Sequence, residues 1–191
     1  MKPWRLLSVL LQYPTSELLG ARSELRRAAE GDRGCQRFLG WLSEAPLGDA
    51  QRAYVETFDF DRRAALYLTY HSLGDRRQRG LELVRLKRRY ADAGFPLGAR
   101  ELPDYLPVLL EFAALAGTQG EDLLNEHRAA VELIRARLHD LASPYADLLD
   151  SVAGALPKPR KEQITAAHRL AAEGPPGELV GLEPYAVGAI S

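Results

Sequence analysis

The stretch Glu121-Asp122-Leu123-Leu124-Asn125-Glu126-His127-Arg128-Ala129-Ala130-Val131-Glu132-Leu133-Ile134-Arg135-Ala136-Arg137-Leu138-His139-Asp140-Leu141 decides the fold. Its His127, Val131, Ile134, Leu138 and Leu141 recur by fours and threes, the spacing that lines one face of an α-helix. The pattern predicts one long helix over 121–141 whose seam faces other helices. The rest of the chain has the same bias, with 33 Leu and 27 Ala against 8 Val and 3 Ile. Leu and Ala are among the best helix formers, whereas sheets draw on β-branched side chains that are scarce here. The expected class is all-α.

Gly and Pro divide the remainder into helical lengths. The first helix is expected to end near Gln12, before Pro14, and Thr15 or Ser16 to cap a second that runs to Glu30. A third covers about Cys35 to Ser43 and a fourth about Gly48 to Thr57. Asp61 is placed to cap a fifth helix reaching Leu73, with Gly74 as its C-cap, and Asp75 to cap a sixth that ends at Ala93. After the loop from Gly94 to Pro103, Asp104 is the expected N-cap of a seventh helix that ends at Gly117, with Pro107 tolerated in its first turn. The 121–141 helix is the eighth, Pro144 to Leu156 the ninth, and Arg160 to Glu173 the tenth. The predicted architecture is a single compact bundle of about nine to ten short helices over residues 1–173, followed by a loose tail over 174–191.

One domain is what 191 residues suggest, and 46% hydrophobic with 27% charged side chains fits a soluble globular chain. Twenty-five basic against 26 acidic residues exclude a surface built wholly for nucleic acid or anionic lipid. The single Cys35 cannot form an internal disulfide, which fits a reducing compartment. No segment has the roughly 20 apolar residues of a membrane span, and no small-residue cleavage site follows the first helix. A cytoplasmic protein without stable membrane insertion is expected.

Enzyme signatures are missing from the sequence. It has no Gly-rich phosphate loop, no dinucleotide turn and no His-Glu-x-x-His. His71, His127, His139 and His168 do not pair at metal-ligand spacing, and Cys35 sits among Phe38, Leu39 and Leu42 as a packing residue. Neither catalysis nor a bound cofactor or metal is expected.

The charge distribution says more than the net value. Arg76, Arg77, Arg79, Arg85, Lys87, Arg88 and Arg89 crowd one helix, with Glu82 the one acid among them. Glu101, Asp104, Glu111, Glu121, Asp122 and Glu126 occupy a stretch with no Lys or Arg. Mixed with Tyr105, Leu106, Pro107, Leu109, Leu110 and Phe112, that acidic stretch suits the wall of a groove for a basic amphipathic helix. The simpler possibility is two solvated faces, with Asp104 as a cap and Leu106 and Leu110 as core. The basic helix leaves a nucleic-acid-binding module as the second function class, one whose affinity would fall steeply with salt.

Three segments carry a resemblance: Tyr54-Val55-Glu56-Thr57-Phe58-Asp59, His71-Ser72-Leu73-Gly74-Asp75-Arg76-Arg77-Gln78-Arg79-Gly80, and Glu101-Leu102-Pro103-Asp104-Tyr105-Leu106-Pro107-Val108-Leu109-Leu110-Glu111-Phe112. With Leu10-Leu11-Gln12-Tyr13-Pro14, they resemble the NarJ-type nitrate reductase assembly chaperones of the TorD/DmsD group of redox-enzyme maturation proteins. The resemblance implies a TorD-like helical fold and no catalysis. It implies binding of the N-terminal peptide of the molybdenum-containing catalytic subunit, and retention of the apo form of that subunit until the molybdenum cofactor is inserted. Molybdenum cofactor delivery proteins are further implied partners. Carried over by position, the family's peptide site falls on Leu66, Tyr67, Tyr70, His71, Asp104 and Tyr105. Tyr105 stands where the family often has His, which keeps an aromatic wall and removes an imidazole. The acidic stretch adds Glu101, Asp104 and Glu111 as expected partners of positive charge, and Leu106 and Leu110, with Tyr70, as expected apolar contacts. Arg79 is expected to pair internally with an acid.

Overall fold

The computed structural model describes residues 2–74, 77–98 and 101–174. Among these, twelve helices follow one another: α1 Trp4–Leu10, α2 Ser16–Gly20, α3 Arg22–Ala28, α4 Arg33–Glu44, α5 Leu47–Phe58, α6 Leu68–Leu73, α7 Arg77–Asp92, α8 Leu106–Ala116, α9 Thr118–Glu126, α10 Arg128–Asp140, α11 Ala146–Ala155 and α12 Lys161–Glu173. No strand occurs among the described residues beyond one antiparallel bridge between Tyr67 and Tyr105. The class is all-α, as the Leu and Ala content predicts.

The count exceeds ten because two expected helices are each split. Thr15 does cap, its side chain accepting from the Leu18 N–H, but the helix expected from there to Glu30 breaks at Ala21. The long 121–141 helix is two helices hinged at His127, whose φ of −91° and ψ of 15° leave the helical ladder. The cause lies in packing. An added Cβ on Gly120 would meet the Ala113 Cα at 2.5 Å and the Phe112 carbonyl at 2.6 Å, so α9 lies backbone to backbone on α8. Meanwhile α10 runs against α11 and α12, and one straight rod cannot satisfy both.

The helix expected from Asp61 to Leu73 is reduced to α6. Tyr67, just before it, is extended, and the strand-like pairing there is made by the Leu68 N–H, which donates to the Asp104 carbonyl at 2.9 Å, and by the Leu106 N–H, which donates to the Leu66 carbonyl at 2.8 Å. Asp61 accepts from the Arg63 N–H at 2.9 Å and holds Arg137 at 2.7 Å rather than capping a helix. Gly74 ends α6 with φ 57°, a conformation that favours glycine. The expected cap Asp75, and the expected tail over 174–191 beyond Gly174, lie outside the described residues.

The core joins α1, α4, α5, α8, α10 and α11 through buried Leu7, Leu39, Ala50, Leu109, Ile134 and Leu149. Phe38, Trp41, Tyr54, Phe58 and Tyr145 pack ring against ring with centroids 4.9 to 5.9 Å apart. Arrangements of this kind add to area burial. No helix among the described residues is long and apolar enough to cross a membrane.

Candidate functional site

The Tyr67–Tyr105 bridge ties the segment before α6 to the start of α8 and sets two phenol rings side by side, 5.3 Å between centroids. The Tyr105 hydroxyl shares a 2.9 Å hydrogen bond with that of Tyr54, and Tyr13 meets the Tyr54 ring edge-on at 5.5 Å. Burial, joined by the charges of Asp104 and Asp59, raises the ionisation of Tyr67 above its ordinary value. Burial does the same for Tyr105, against the opposing effect of its bond to Tyr54. The ledge is therefore neutral and aromatic at physiological pH.

From this ledge a trough follows α8. One cleft of about 320 Å³ is lined by Gln12, Tyr67, Glu101, Leu102, Tyr105, Pro107, Val108 and Glu111. A second, of about 200 Å³, continues past Val108 to Phe95, Leu97 and Leu115 and shares Glu101 and Glu111 with the first. Along α8 the outward stripe is thus Val108, Glu111 and Leu115, at i, i+3 and i+7. Leu102 and Leu115 are 40% and 52% exposed and add apolar surface to the same trough. Glu111 is held by an exposed 2.7 Å ion pair with Arg5, and Glu101 accepts from the Gly98 N–H at 2.9 Å.

The ten residues expected to form the site fall into two layers. Tyr67, Glu101, Tyr105 and Glu111 line the trough. Leu66, His71, Asp104, Leu106 and Leu110 are buried beneath it, with Leu106, Leu110, His71 and Asp104 at 0% exposure. The apolar contact expected of Leu106 and Leu110 is therefore corrected: both face the core, and Val108 and Leu115 are the outward apolar side chains. Tyr70 is half-buried at the side, with the Arg79 guanidinium 5.8 Å from its ring centre and 5.7 Å from that of Tyr67.

Asp104 does not cap α8, since the cap position is Tyr105 and no side chain serves there. Its Oδ2 accepts from the Thr69 hydroxyl at 2.6 Å and from Arg79 Nη2 at 3.0 Å. The expected positive partner of Asp104 is therefore an arginine of its own chain, the internal pair anticipated for Arg79. His71 donates from Nε2 to the Ala65 carbonyl at 2.8 Å; burial depresses its protonation, against the raising effects of that bond and of Asp104. Gln12, Leu102, Val108 and Leu115 were not expected at the site. Glu111 marks Val108 and Leu115, because the one charge on an otherwise apolar α8 identifies the outward face; no local signal marks Gln12 or Leu102.

The basic helix α7 spends much of its charge on neighbours. Arg79 pairs with Asp104, Arg85 with Glu82, Arg88 with Asp92, and Arg89 with Glu126 at 2.5 Å. Among the described residues no three His, Cys, Asp or Glu side chains gather as a metal site. Burial pushes the Cys35 thiol up to about 12, with the Asp32 charge adding to it.

An all-helical bundle with an open, aromatic and acid-rimmed trough is the class that these features define. Comparison with known proteins then gives the family. The nitrate reductase delta subunit family matches residues 24–150. The chain is 35% identical over 157 residues to the probable nitrate reductase molybdenum cofactor assembly chaperone NarJ of Bacillus subtilis (strain 168), covering 78% of this chain and 85% of that protein. It is 34% identical over 154 residues to the nitrate reductase molybdenum cofactor assembly chaperone NarJ of Escherichia coli (strain K12), covering 76% of this chain and 65% of that one. Identity to the nitrate reductase-like protein NarX of Mycobacterium tuberculosis (strain ATCC 25618 / H37Rv) is 38% over 152 residues, where the chain spans only 23% of its relative's length. The chain belongs to the nitrate reductase delta subunit family. The family match contains the Tyr54 to Phe112 segments that carried the resemblance and stops short of Leu10–Pro14.

Proposed function

We propose that this protein is a non-catalytic assembly chaperone for nitrate reductase. Its trough binds the N-terminal peptide of the molybdenum-containing catalytic subunit and retains the apo form for cofactor insertion before membrane docking. The role belongs to the cytoplasm, with molybdenum cofactor delivery proteins as further partners and the cofactor as cargo rather than a resident group. The observation that carries the proposal is the stripe Val108, Glu111, Leu115 beside the Tyr67–Tyr105 ledge, in a family whose relatives are named as assembly chaperones. An amphipathic helix would set its apolar face on Val108, Leu102 and Leu115 and its Lys or Arg against Glu101 and Glu111. The eleven residues of α8 offer a floor about 16 Å long, the length of three helical turns.

Calorimetry of the full chain with a synthetic peptide of the first ~20 residues of the cognate catalytic subunit, long enough for an amphipathic helix to fill the groove, tests this directly. One-to-one binding is expected, with Val108→Asp abolishing it. Glu111→Lys should weaken binding about five- to tenfold, roughly 1 kcal/mol, and flatten its salt dependence. Absence of heat with the correct peptide overturns the proposal. Binding that ignores both substitutions moves the peptide site away from this trough.

A further inference from the structure

The trough on α8 is not uniform along its length. Val108 stands half-buried between the two clefts and lines both, as do Glu101 and Glu111. What remains to each cleft differs in size and chemistry. The larger, of about 320 Å³, is walled by the Tyr67 and Tyr105 rings, tilted 33° to one another, with Leu102 and Pro107. The smaller, of about 200 Å³, is walled by Leu97 and Leu115. Its floor is already packed with rings: buried Tyr90 and Phe112 lie 4.3 Å apart between centroids, and Phe95 meets Phe112 edge-on at 6.0 Å.

Two hollows divided by a ridge select two side chains rather than one continuous stripe. The ring-walled hollow favours an aromatic side chain, because ring pairs gain more than their area burial. The smaller one, floored by rings and walled by leucines, suits an aliphatic side chain. Along α8 the lining advances from Tyr105 and Pro107 to Phe112 and Leu115. At 1.5 Å per residue this sets the hollows about 6–11 Å apart, one to two helical turns, the lower figure counting the shared residues. A helical peptide spans that distance with side chains at i and i+4 or at i and i+7. Over the ridge it meets Glu101 and Glu111, which favours Lys or Arg between the two. Taking the trough as the peptide site, we infer that it reads two anchors on one helical face, four or seven residues apart: an aromatic side chain in the Tyr67–Tyr105 hollow and an aliphatic one in the Leu97–Leu115 hollow. Partner choice is then set by the size and order of two side chains rather than by overall hydrophobicity.

Calorimetry of the full chain with an alanine-scanned peptide of the first ~20 residues of the cognate catalytic subunit tests the inference. One aromatic and one aliphatic position, four or seven residues apart, should each lose at least about tenfold in affinity, roughly 1.4 kcal/mol. Plugging the hollows assigns each anchor. Leu102→Trp and Leu115→Trp, both at exposed positions, should each weaken the parent peptide about tenfold with unchanged circular dichroism. Leu115→Trp should cost nothing further once the aliphatic anchor is alanine, and Leu102→Trp nothing further once the aromatic anchor is alanine. Should Leu115→Trp disturb folding, Leu97→Ala widens the same hollow and should let phenylalanine replace the aliphatic anchor without loss. A parent peptide that gives no heat removes the trough as its site, and the inference falls with the proposed function. A parent peptide that binds overturns the inference alone in any of four cases: losses spread over many positions, plugs without effect, plug and anchor losses that simply add, or anchors that couple to the opposite hollows.

Discussion

Replacing Asp104 separates a binding residue from a structural one. Its side chain is 0% exposed, while that of its partner Arg79 is 17% exposed. Asp104→Ala deletes the acceptor of the 2.6 Å Thr69 bond and the 3.0 Å Arg79 bond together, and leaves a largely desolvated guanidinium with less compensation. Breaking a buried pair from one side costs about 3–5 kcal/mol, and the residual exposure of Arg79 argues for about 3. Asp104→Asn keeps the shape and an acceptor for Thr69 but removes the charge, so about 1.5–2 kcal/mol is expected. The loss should be felt first at the bridge, where the Asp104 carbonyl accepts from Leu68 and the Leu106 N–H reaches Leu66. Urea unfolding followed by circular dichroism gives the two free energies, and hydrogen exchange of the Leu68 and Leu106 amides gives the local effect. A stability within 0.5 kcal/mol of the parent for Asp104→Ala, or equal losses for Ala and Asn, refutes the buried-pair account. Charge reversal at Asp104 is for the same reason no test of peptide binding, whereas the exposed Arg5–Glu111 pair contributes at most about 0.5 kcal/mol and leaves Glu111 free for that purpose.

Gly120→Ala should destabilise by about 1–3 kcal/mol through the clash with the α8 backbone, even though Ala is the better helix former by up to 1 kcal/mol. Gly154→Ala, in α11 with open space around its Cβ, should stabilise by about 0.5–1 kcal/mol, and the reverse order in a denaturant series would contradict the packing argument. His71 and His127 both have protonation depressed, by burial first, so the unfolded chain binds these protons more readily. Stability is then full above an unfolded pKa of about 6.5 and falls as the pH drops below it; a urea midpoint no lower at pH 5.5 than at pH 7.5 would refute this. The carboxylates of Glu121, Glu126 and Asp150 lie below their ordinary values and titrate further down, which leaves the window between about 5 and 6.5 to histidine. Cys35, fully buried with its thiol pushed up to about 12, should resist alkylation in the native protein and react only at the rate of unfolding; rapid labelling would place it at the surface.

Element type was readable where one residue's neighbours in sequence are also its neighbours in space. Val131, Ile134 and Leu138 form a buried seam on α10, and Thr15 and Gly74 punctuate as their chemistry requires. The failures share a cause. His127 carries no breaker signal, and the hinge there exists because Gly120 fixes α9 on α8 while α10 follows other helices. Asp104 has the chemistry of a cap, but its partners Thr69 and Arg79 stand 35 and 25 residues away, and no local pattern records such a pairing. In α8 the run Leu106–Ala116 is apolar on every side except at Glu111, so its phase could not be read from periodicity. Choosing Leu106 and Leu110 selected the stripe that α1 and the core cover; counting from Glu111 instead gives Val108 and Leu115.

The resulting two-layer arrangement lets one motif carry both structural residues and the residues proposed for recognition. The Glu-Leu-Pro-Asp-Tyr-Leu-Pro element alternates roles along seven residues: Glu101, Leu102 and Tyr105 face the trough, while Asp104 and Leu106 anchor below. The Tyr90 hydroxyl donates to the Pro103 carbonyl at 3.0 Å and fixes the turn between the layers. If the proposed peptide docks on Tyr105 and Leu102, it meets a loop already held by the Thr69–Asp104–Arg79 cluster and by backbone bonds to Leu66 and Leu68. On that proposal the ordering costs of binding would fall mainly on the peptide and on side chains such as Leu102, Glu101 and Glu111. Substitutions in the lower layer should lower stability and affinity together, whereas those in the upper layer should lower affinity alone, and that division follows from burial rather than from position in the motif.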